Sequence, residues 1–392
     1  MIKYFKSLDT YIIGLFISYI IYYAQNHAKA VLSSFELTDA GETLIGKLLT
    51  ICLFILMAYR INNNKIALPL NIKSPLIAWM IITTISNFLF LNSYGQAINT
   101  SFQQILWPTV FFYFYHCGEF LSKNSNLYNV VVLVLFIFLS VIIYSETIFL
   151  RTFGQYAQQI QINEIYFILL MLPWILGICG NRLWLIVKVV LLLITVWFVF
   201  FSLKRTAMLG LVFAVLFYLA AIYYQKKIRF KTLVFIIIIA IIGNFIFDSV
   251  NEEFGGRIVE RVESIKTDKG TGRLEIYDNV FNAIGQWGIP EYLFGEGRGN
   301  IGFYTGGLSA HNEFLEVLFS WGICGFFAYL IFLCRTFKIF YRNKYYVDLP
   351  MVYSSIGIYL AMCITSHLVI YPYLFNLVVG FWGYHLFRVK NL

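Results

Sequence analysis

Apolar runs long enough to cross a lipid bilayer dominate this chain of 392 residues. A helix needs about 20 consecutive apolar residues to span the hydrocarbon core, and twelve runs reach or approach that length. They lie at residues 8–28, 43–59, 75–92, 101–121, 127–146, 162–180, 183–203, 206–224, 231–248, 312–334, 350–368 and 371–388. Because 60% of the residues are hydrophobic and 12% are charged, the chain has too few polar residues to cover a soluble globule. The sequence therefore predicts an all-α polytopic membrane protein with about 12 transmembrane helices, and it argues against a soluble enzyme or a nucleic-acid-binding domain.

The distribution of lysine and arginine predicts the orientation of these spans. With the N-terminus in the cytoplasm, most basic residues of the short loops fall on the cytoplasmic side, as the positive-inside rule requires. We therefore predict that both termini are cytoplasmic. The first run is expected to be an uncleaved span, with a signal peptide cleaved near Ala28-Lys29-Ala30 as the alternative.

One connection is much longer than the others and is placed outside by the charge bias. The chain accordingly divides into residues 1–248 with spans 1 to 9, the external loop 249–311, and residues 312–392 with spans 10 to 12. Long loops are uncommon in compact proteins unless they carry function. Apolar residues recur every three or four positions within the loop, which predicts an amphipathic surface helix. They are Leu274, Tyr277, Val280 or Phe281, Ile284 and Trp287.

Several arginines stand where the topology does not favour positive charge. Lys204-Arg205 lies at the external end of the seventh and eighth spans, where Arg205 either contacts lipid phosphates or presents its planar fork to an anion in a cavity. Arg273 lies at the predicted start of the surface helix, a position that favours anion binding. A salt bridge from Arg273 to Glu275 or Asp278 is the alternative.

Two further arginines of the external loop are weaker candidates. Arg257 follows Glu253 and precedes Arg261 at helical spacing, which is typical of an ion-pair ladder. Arg298 lies among glycines whose backbone N–H groups can bind phosphate, although this short pattern has low specificity. We keep both as candidate substrate-binding residues.

His311 lies where the external loop re-enters the membrane as the tenth span. The dipole of a helix N-terminus disfavours an imidazolium, so a neutral ring would be available as a base near pH 7. A capping role is the alternative. Asn312 and Glu313 follow as substrate-binding candidates, together with Lys204, although the first helical turn also suits Glu313 and Glu316 as structural residues. The remaining histidines, including His367, are interpreted as packed or interfacial.

The chain lacks the motifs of several competing chemistries. It has no Walker lysine motif, no cluster of histidines and cysteines, and no Asp-x-Asp pair that would hold a metal on a nucleotide sugar. These absences argue against ATP-driven transport and against transfer from nucleotide sugars. We expect no metal site and no cofactor, so the energy for any transfer must come from the substrate itself.

Four short motifs, taken together in their order and topology, resemble the O-antigen polymerase and O-antigen ligase superfamily over residues 200–330. They are Lys204-Arg205-Thr206-Ala207, Gly272-Arg273-Leu274-Glu275-Ile276-Tyr277, the segment from Pro290 to Gly297, and Ser309-Ala310-His311-Asn312-Glu313-Phe314-Leu315 followed by Trp321-Gly322-Ile323-Cys324-Gly325. The resemblance implies metal-independent glycosyl transfer at the periplasmic face of the bacterial inner membrane, from an undecaprenyl-diphosphate-linked glycan. Matched residue by residue, Arg205, Arg273 and His311 are the implied catalytic residues.

The resemblance also implies partners and leaves the acceptor open. The partners are undecaprenyl-diphosphate-linked glycans, the lipid bilayer and a chain-length regulator protein, with no nucleic acid. A polymerase transfers the growing chain to a lipid-linked repeat unit, whereas a ligase transfers it to the lipid A core. The polymerase is favoured because the composition, rich in Asn, Ile and Lys, and the residues that follow His311-Asn312 resemble those of polymerases. A transporter that flips a lipid-linked sugar is the alternative from another class, and it would be expected to show two related halves and broken helices near mid-membrane.

Overall fold

A computed structural model of the chain describes residues 8–33, 44–63, 68–91, 93–153, 164–202, 204–226, 247–248, 251–252 and 273–391. Within these ranges the secondary structure is helical, with no strand. We number the helices α1 to α15 in chain order. The predicted ninth span, residues 231–248, falls almost entirely outside the described residues.

The first nine helices belong to the part of the chain before the external loop. They are α1 (Leu8–Ser33), α2 (Leu44–Asn62), α3 (Leu70–Phe90), α4 (Tyr94–His116), α5 (Gly118–Lys123), α6 (Ser125–Phe153), α7 (Ile165–Leu176), α8 (Arg182–Phe201) and α9 (Arg205–Tyr224). Three short helices follow within the loop: α10 (Arg273–Ile284), α11 (Ile289–Phe294) and α12 (Ile301–Tyr304). The chain then forms α13 (Glu313–Arg342), α14 (Leu349–Thr365) and α15 (Pro372–Asn391).

Six of the described helices are long and apolar enough to cross a membrane: α2, α3, residues 125–145 of α6, α8, α9 and α13. Two further apolar helices, α7 and α14, are shorter. Helices α1, α4 and α15 are of comparable length to the six. The predicted class, an all-α polytopic membrane protein, is confirmed.

Contacts between helix ends define the two ends of the bundle. At one end of the bundle, Arg60 near the end of α2 pairs with Asp9 at the start of α1, with 2.8 Å between Nε and Oδ1. At the other end, the Arg273 guanidinium donates to the carbonyl of Thr365, where α14 finishes, over 3.3 Å. We call this second end the site end, because it carries the loop helices α10 to α12 and the start of α13.

Helix α4 begins earlier than the predicted fourth span, which starts at residue 101. The Ser93 side chain accepts a hydrogen bond from the backbone N–H of Gln96 over 3.1 Å and so caps α4 before its polar first turns. Hydropathy detects the apolar part of a helix, whereas the cap sets its true start. Helix α4 also ends at His116, so the residues after it form the separate short helix α5.

Helix α13 is broken inside the predicted tenth span. Trp321 (φ −134°, ψ 15°) and Gly322 (φ 62°, ψ −169°) leave helical geometry, and the axis continues after them. The loop backbone fills this break, because Glu296 N donates to Phe319 O over 2.9 Å and Gly297 N donates to Ser320 O over 3.0 Å. The carbonyls freed by the break are therefore satisfied by protein groups.

The predicted amphipathic surface helix is present as α10, which ends at Ile284. Its buried residues are Ile276, Val280 and Ala283, which pack on a small core with Ile301, Ala310, Leu315 and Phe319. Tyr277, Ile284 and Trp287 pack partly against this core, as expected, but Leu274 and Phe281 are exposed. The buried face of α10 is thus rotated slightly from the apolar face predicted from the spacing, because α10 packs against the start of α13.

Candidate functional site

His311 occupies a tightly held turn immediately before α13. Its φ of +52° is in the left-handed region, which side chains other than glycine rarely adopt. The next residue, Asn312, caps α13 by accepting hydrogen bonds from the backbone N–H groups of Phe314 and Leu315 at 3.1 Å each. The preceding residue, Ala310, donates its N–H to the carboxylate of Glu316 over 2.6 Å. The half-buried His311 ring is therefore presented by a backbone anchored on both sides.

Glu313 lies in the interior with no exposed surface. Its carboxylate accepts hydrogen bonds from the Tyr329 hydroxyl at 2.6 Å and from the backbone N–H groups of Leu368 and Val369. Tyr329 in turn contacts the Tyr359 hydroxyl over 2.7 Å. The carboxylate predicted to bind substrate thus ties the turn between α14 and α15 to the start of α13.

Two basic side chains act on the His311 ring from other segments. Burial lowers the pKa of His311 below its ordinary value, and the positive charges of Arg273 and Lys204 lower it further. Because an imidazole with a lowered pKa is neutral at pH 7, His311 retains a lone pair for accepting a proton. The structure therefore brings three of the predicted site residues together from α10, α9 and the turn before α13.

Tyr166 forms part of the same region from the start of α7. Its hydroxyl interacts with Thr206 and Ser366, and its ring lies 6.0 Å from the Lys204 ammonium. Thr206 follows Arg205, which begins α9 and is half-buried. The first turn of α9 thereby reaches the region of His311, which places the backbone of Arg205 at its edge.

Arg298 is buried, with 8% of its surface exposed. Its guanidinium donates to the side-chain carbonyl of Gln103 on α4, and its charge acts on Glu316 and His367. Arg298 therefore lies inside the bundle, where it links the loop to α4. Arg257, the remaining predicted substrate-binding residue, lies outside the described residues.

A second imidazole, His367, approaches His311 from the turn between α14 and α15. The two ring centres are 5.6 Å apart, and His367 is only 4% exposed. Burial lowers the pKa of His367 to about 3, with further lowering by His311 and Arg298. His367 is not predicted as a site residue from the sequence, although the predicted topology places the end of the eleventh span and the start of the tenth at the same side of the membrane.

The arrangement combines a neutral base with fixed positive charge. A neutral imidazole can remove a proton from a hydroxyl group, and nearby cations can stabilise negative charge that develops on a departing group. Within the described part of the chain, no three side chains of His, Cys, Asp or Glu come together in an arrangement suited to a metal ion. The chemistry that these residues favour is attack by an activated hydroxyl on a substrate with an anionic leaving group.

A comparison with known families matches the part of the chain that carries most of the candidate site. Residues 190–330 match the family model described as O-antigen ligase. The match begins within α8 and ends within α13, so it contains Lys204, Arg205, Arg273 and His311. No curated protein matches the chain. The resemblance drawn from the short motifs is confirmed, and the family match leaves the choice between polymerase and ligase open.

Proposed function

We propose that the chain, whose residues 190–330 match the O-antigen ligase family model, is a membrane glycosyltransferase of the O-antigen polymerase and ligase superfamily and acts as an O-antigen polymerase. It transfers a growing glycan from undecaprenyl diphosphate onto a lipid-linked repeat unit, without a metal ion. The observation that carries this proposal is the convergence of Arg273 and Lys204 on the neutral ring of His311.

In the proposed reaction, the neutral ring of His311 removes the proton from a hydroxyl of the acceptor sugar. The acceptor oxygen then forms a bond to the anomeric carbon of the donor, and the bond from that carbon to the diphosphate oxygen breaks. The electron pair leaves with the diphosphate, where Arg205 and Arg273 stabilise the charge. The diphosphate is a good leaving group, so the transfer needs no ATP.

The ligase is the second candidate, because the matched family model does not separate the two activities. Both enzymes take the same donor and differ in the acceptor, which is a lipid-linked repeat unit for the polymerase and the lipid A core for the ligase. We prefer the polymerase because Phe314-Leu315-Glu316 after His311-Asn312 resembles polymerases more closely.

The hydrogen bonds at the break in α13 argue against a transporter. Discontinuous helices of transporters expose freed backbone groups to the substrate. In α13, the freed carbonyls of Phe319 and Ser320 accept hydrogen bonds from Glu296, Gly297 and the Ser86 hydroxyl, the last over 2.9 Å. The break therefore anchors the external loop, and the polar groups of the candidate site lie beyond it at the site end.

The proposal includes a location and partners. We propose that the chain resides in the bacterial inner membrane with both termini in the cytoplasm and the loop helices α10 to α12 in the periplasm. Its substrates are undecaprenyl-diphosphate-linked glycans, and a chain-length regulator protein is its expected protein partner.

Deletion of the gene, followed by electrophoresis of the surface polysaccharide, tests this function. A polymerase deletion leaves a single repeat unit on the lipid A core, whereas a ligase deletion leaves none. Loss of all repeats with lipid-linked units trapped in the cytoplasm would indicate a flippase and overturn the proposal. Complementation with the wild-type chain must restore the ladder of long chains, and an equal amount of the His311→Ala variant must not.

A further inference from the structure

His367 is a buried polar side chain, and neither of its ring nitrogens has a hydrogen-bond partner among the residues that the structure describes. An imidazole removed from water without hydrogen bonds destabilises the protein, so such a group calls for an explanation. His367 occupies the turn between α14 and α15 at the site end, with its ring beside that of His311.

We propose that His367 is a positioning residue for the proposed transfer, whose neutral ring accepts a hydrogen bond from His311 and aims the opposite nitrogen of His311 at the acceptor hydroxyl. This inference rests on the proposed function. It adds a second imidazole to the site, one that acts through the base and not on the substrate.

The geometry of the two rings supports this pairing. Their centres are 5.6 Å apart and their planes are inclined by 44°. Since ring nitrogens lie about 1 Å from the ring centre, two facing nitrogens need only a small ring movement to reach the hydrogen-bonding range of about 2.7–3.2 Å. His367 also contacts the Tyr371 ring, with 5.1 Å between ring centres. The imidazole of His367 thus has one neighbouring ring that packs and another that can donate a hydrogen bond.

The backbones that carry both histidines are fixed by neighbouring buried acids of α13. Glu316 accepts from the N–H of Ala310, immediately before His311. Glu313 accepts from the N–H of Leu368, immediately after His367. One helix turn therefore sets the spacing of the two imidazoles, as expected for a pair that must keep a defined geometry.

The charges around the pair favour a neutral His367. Arg298 and His311 act on His367, while Arg273 and Lys204 act on His311, and all of these contributions disfavour a second proton. A ring that stays neutral keeps one lone pair as an acceptor. When His311 takes the proton of the acceptor hydroxyl, the resulting imidazolium can donate its other N–H to that lone pair, which stabilises the product of the proton transfer.

Steady-state kinetics of the purified full-length chain in lipid nanodiscs tests the inference. The substrate is the lipid-linked repeat unit extracted from the deletion strain. His367→Phe keeps an aromatic ring and removes both nitrogens, whereas His367→Gln keeps a hydrogen-bonding group. His116→Phe is the matched control, because His116 is a buried histidine at the opposite end of the bundle.

We expect His367→Phe to lower kcat by at least about tenfold while KM changes by less than about twofold, because the variant misaligns the base and leaves the substrate contacts intact. The acidic limb of its pH–rate profile should move to lower pH, since the imidazolium of His311 loses an acceptor. His367→Gln should retain kcat within about threefold of wild type, and His116→Phe should resemble wild type.

Two results overturn the inference alone, and a third result removes its premise. If His311→Ala is inactive while His367→Phe has wild-type kcat and an unchanged pH profile, His367 has no part in positioning. If His367→Phe and His367→Gln lose activity equally, with lower apparent melting temperatures, the role of the ring is packing. If His311→Ala is fully active, the proposed function itself fails.

Discussion

Gly295 and Gly299 provide a matched pair of substitutions that tests how the external loop is held. Both glycines have positive φ, +73° for Gly295 and +90° for Gly299. A Cβ atom at Gly295 would lie 2.4 Å from the backbone of Ser320 and Trp321, at the break in α13. A Cβ atom at Gly299 would meet nothing within 4 Å. Alanine at either position strains the backbone, but only Gly295→Ala also collides with a helix.

The size of the difference follows from the contacts that a collision would break. An unfavourable φ costs about 1–2 kcal/mol at either position. Because the Ser320 and Trp321 backbone cannot yield cheaply, Gly295→Ala must also displace the hydrogen bonds from Glu296 and Gly297 to α13. Each such bond contributes about 0.5–1.5 kcal/mol net, and more where a carbonyl is left buried without a partner. With two such bonds, we expect Gly295→Ala to be about 1–3 kcal/mol less stable than Gly299→Ala.

Apparent melting temperatures of the two purified variants in the same detergent, together with their amounts in the membrane, measure this difference. Gly295→Ala should melt several degrees below Gly299→Ala and should fail to restore long polysaccharide chains in the deletion strain. Equal melting temperatures would refute the close packing of the loop against the break. Normal chains from a destabilised Gly295→Ala variant would show that the loop position is not needed for activity.

Four further predictions concern the residues around the base. Arg205→Lys keeps the charge but loses the planar fork, so we expect the transfer rate to fall at least about tenfold, and a wild-type rate would indicate contact with lipid phosphates instead. The wild-type rate should fall only below the ordinary histidine pKa of about 6.5, because His311 must be neutral to act. Arg273→Gln removes a positive charge that lowers the pKa of His311, so the acidic limb of the pH–rate profile should move to higher pH. An unchanged limb would contradict the effect of Arg273 on His311. Glu316→Leu removes the acceptor of the Ala310 N–H, which should destabilise the chain by about 1–3 kcal/mol in thermal unfolding, whereas unaltered stability would show that this anchor is dispensable.

The membrane architecture could be predicted from the sequence because lipid selects for long apolar runs, and such runs are visible residue by residue. The exact ends of the helices could not. Helix α4 starts at a Ser93 cap that precedes polar turns, and α13 continues past the predicted end of the tenth span to Arg342. Hydropathy detects the part of a helix that lies in lipid, whereas capping residues and polar turns extend a helix past its apolar part.

The break in α13 could not be predicted, because it depends on two distant glycines. Gly322 lies inside an apolar run that is compatible with a continuous helix, and its positive φ is matched by the approach of Gly295 from the loop. A Cβ atom on Gly322 would lie 2.5 Å from the Leu293 backbone. No local pattern reveals a close contact between segments that are far apart in sequence.

The candidate site was predicted in part. His311, Arg273 and Lys204 are predicted from their positions at helix ends, and the structure brings Arg273 and Lys204 close enough to His311 to lower its pKa, while their catalytic roles stay predictions. The glycines around Arg298 predict a backbone that can bind phosphate, whereas the direction of its side chain, toward Gln103 inside the bundle, could not be predicted because a glycine-rich pattern specifies backbone freedom only. His367 was passed over because its neighbours come from other segments.

Elongation of the lipid-linked repeat unit by the purified chain tests the central claim most directly. The chain is reconstituted in nanodiscs with excess EDTA and without ATP, and products are separated by the number of repeats. We predict that wild-type protein and the His116→Ala control form longer glycans, whereas His311→Ala, equally stable and equally abundant, forms none. Elongation by His311→Ala at the wild-type rate would contradict the account.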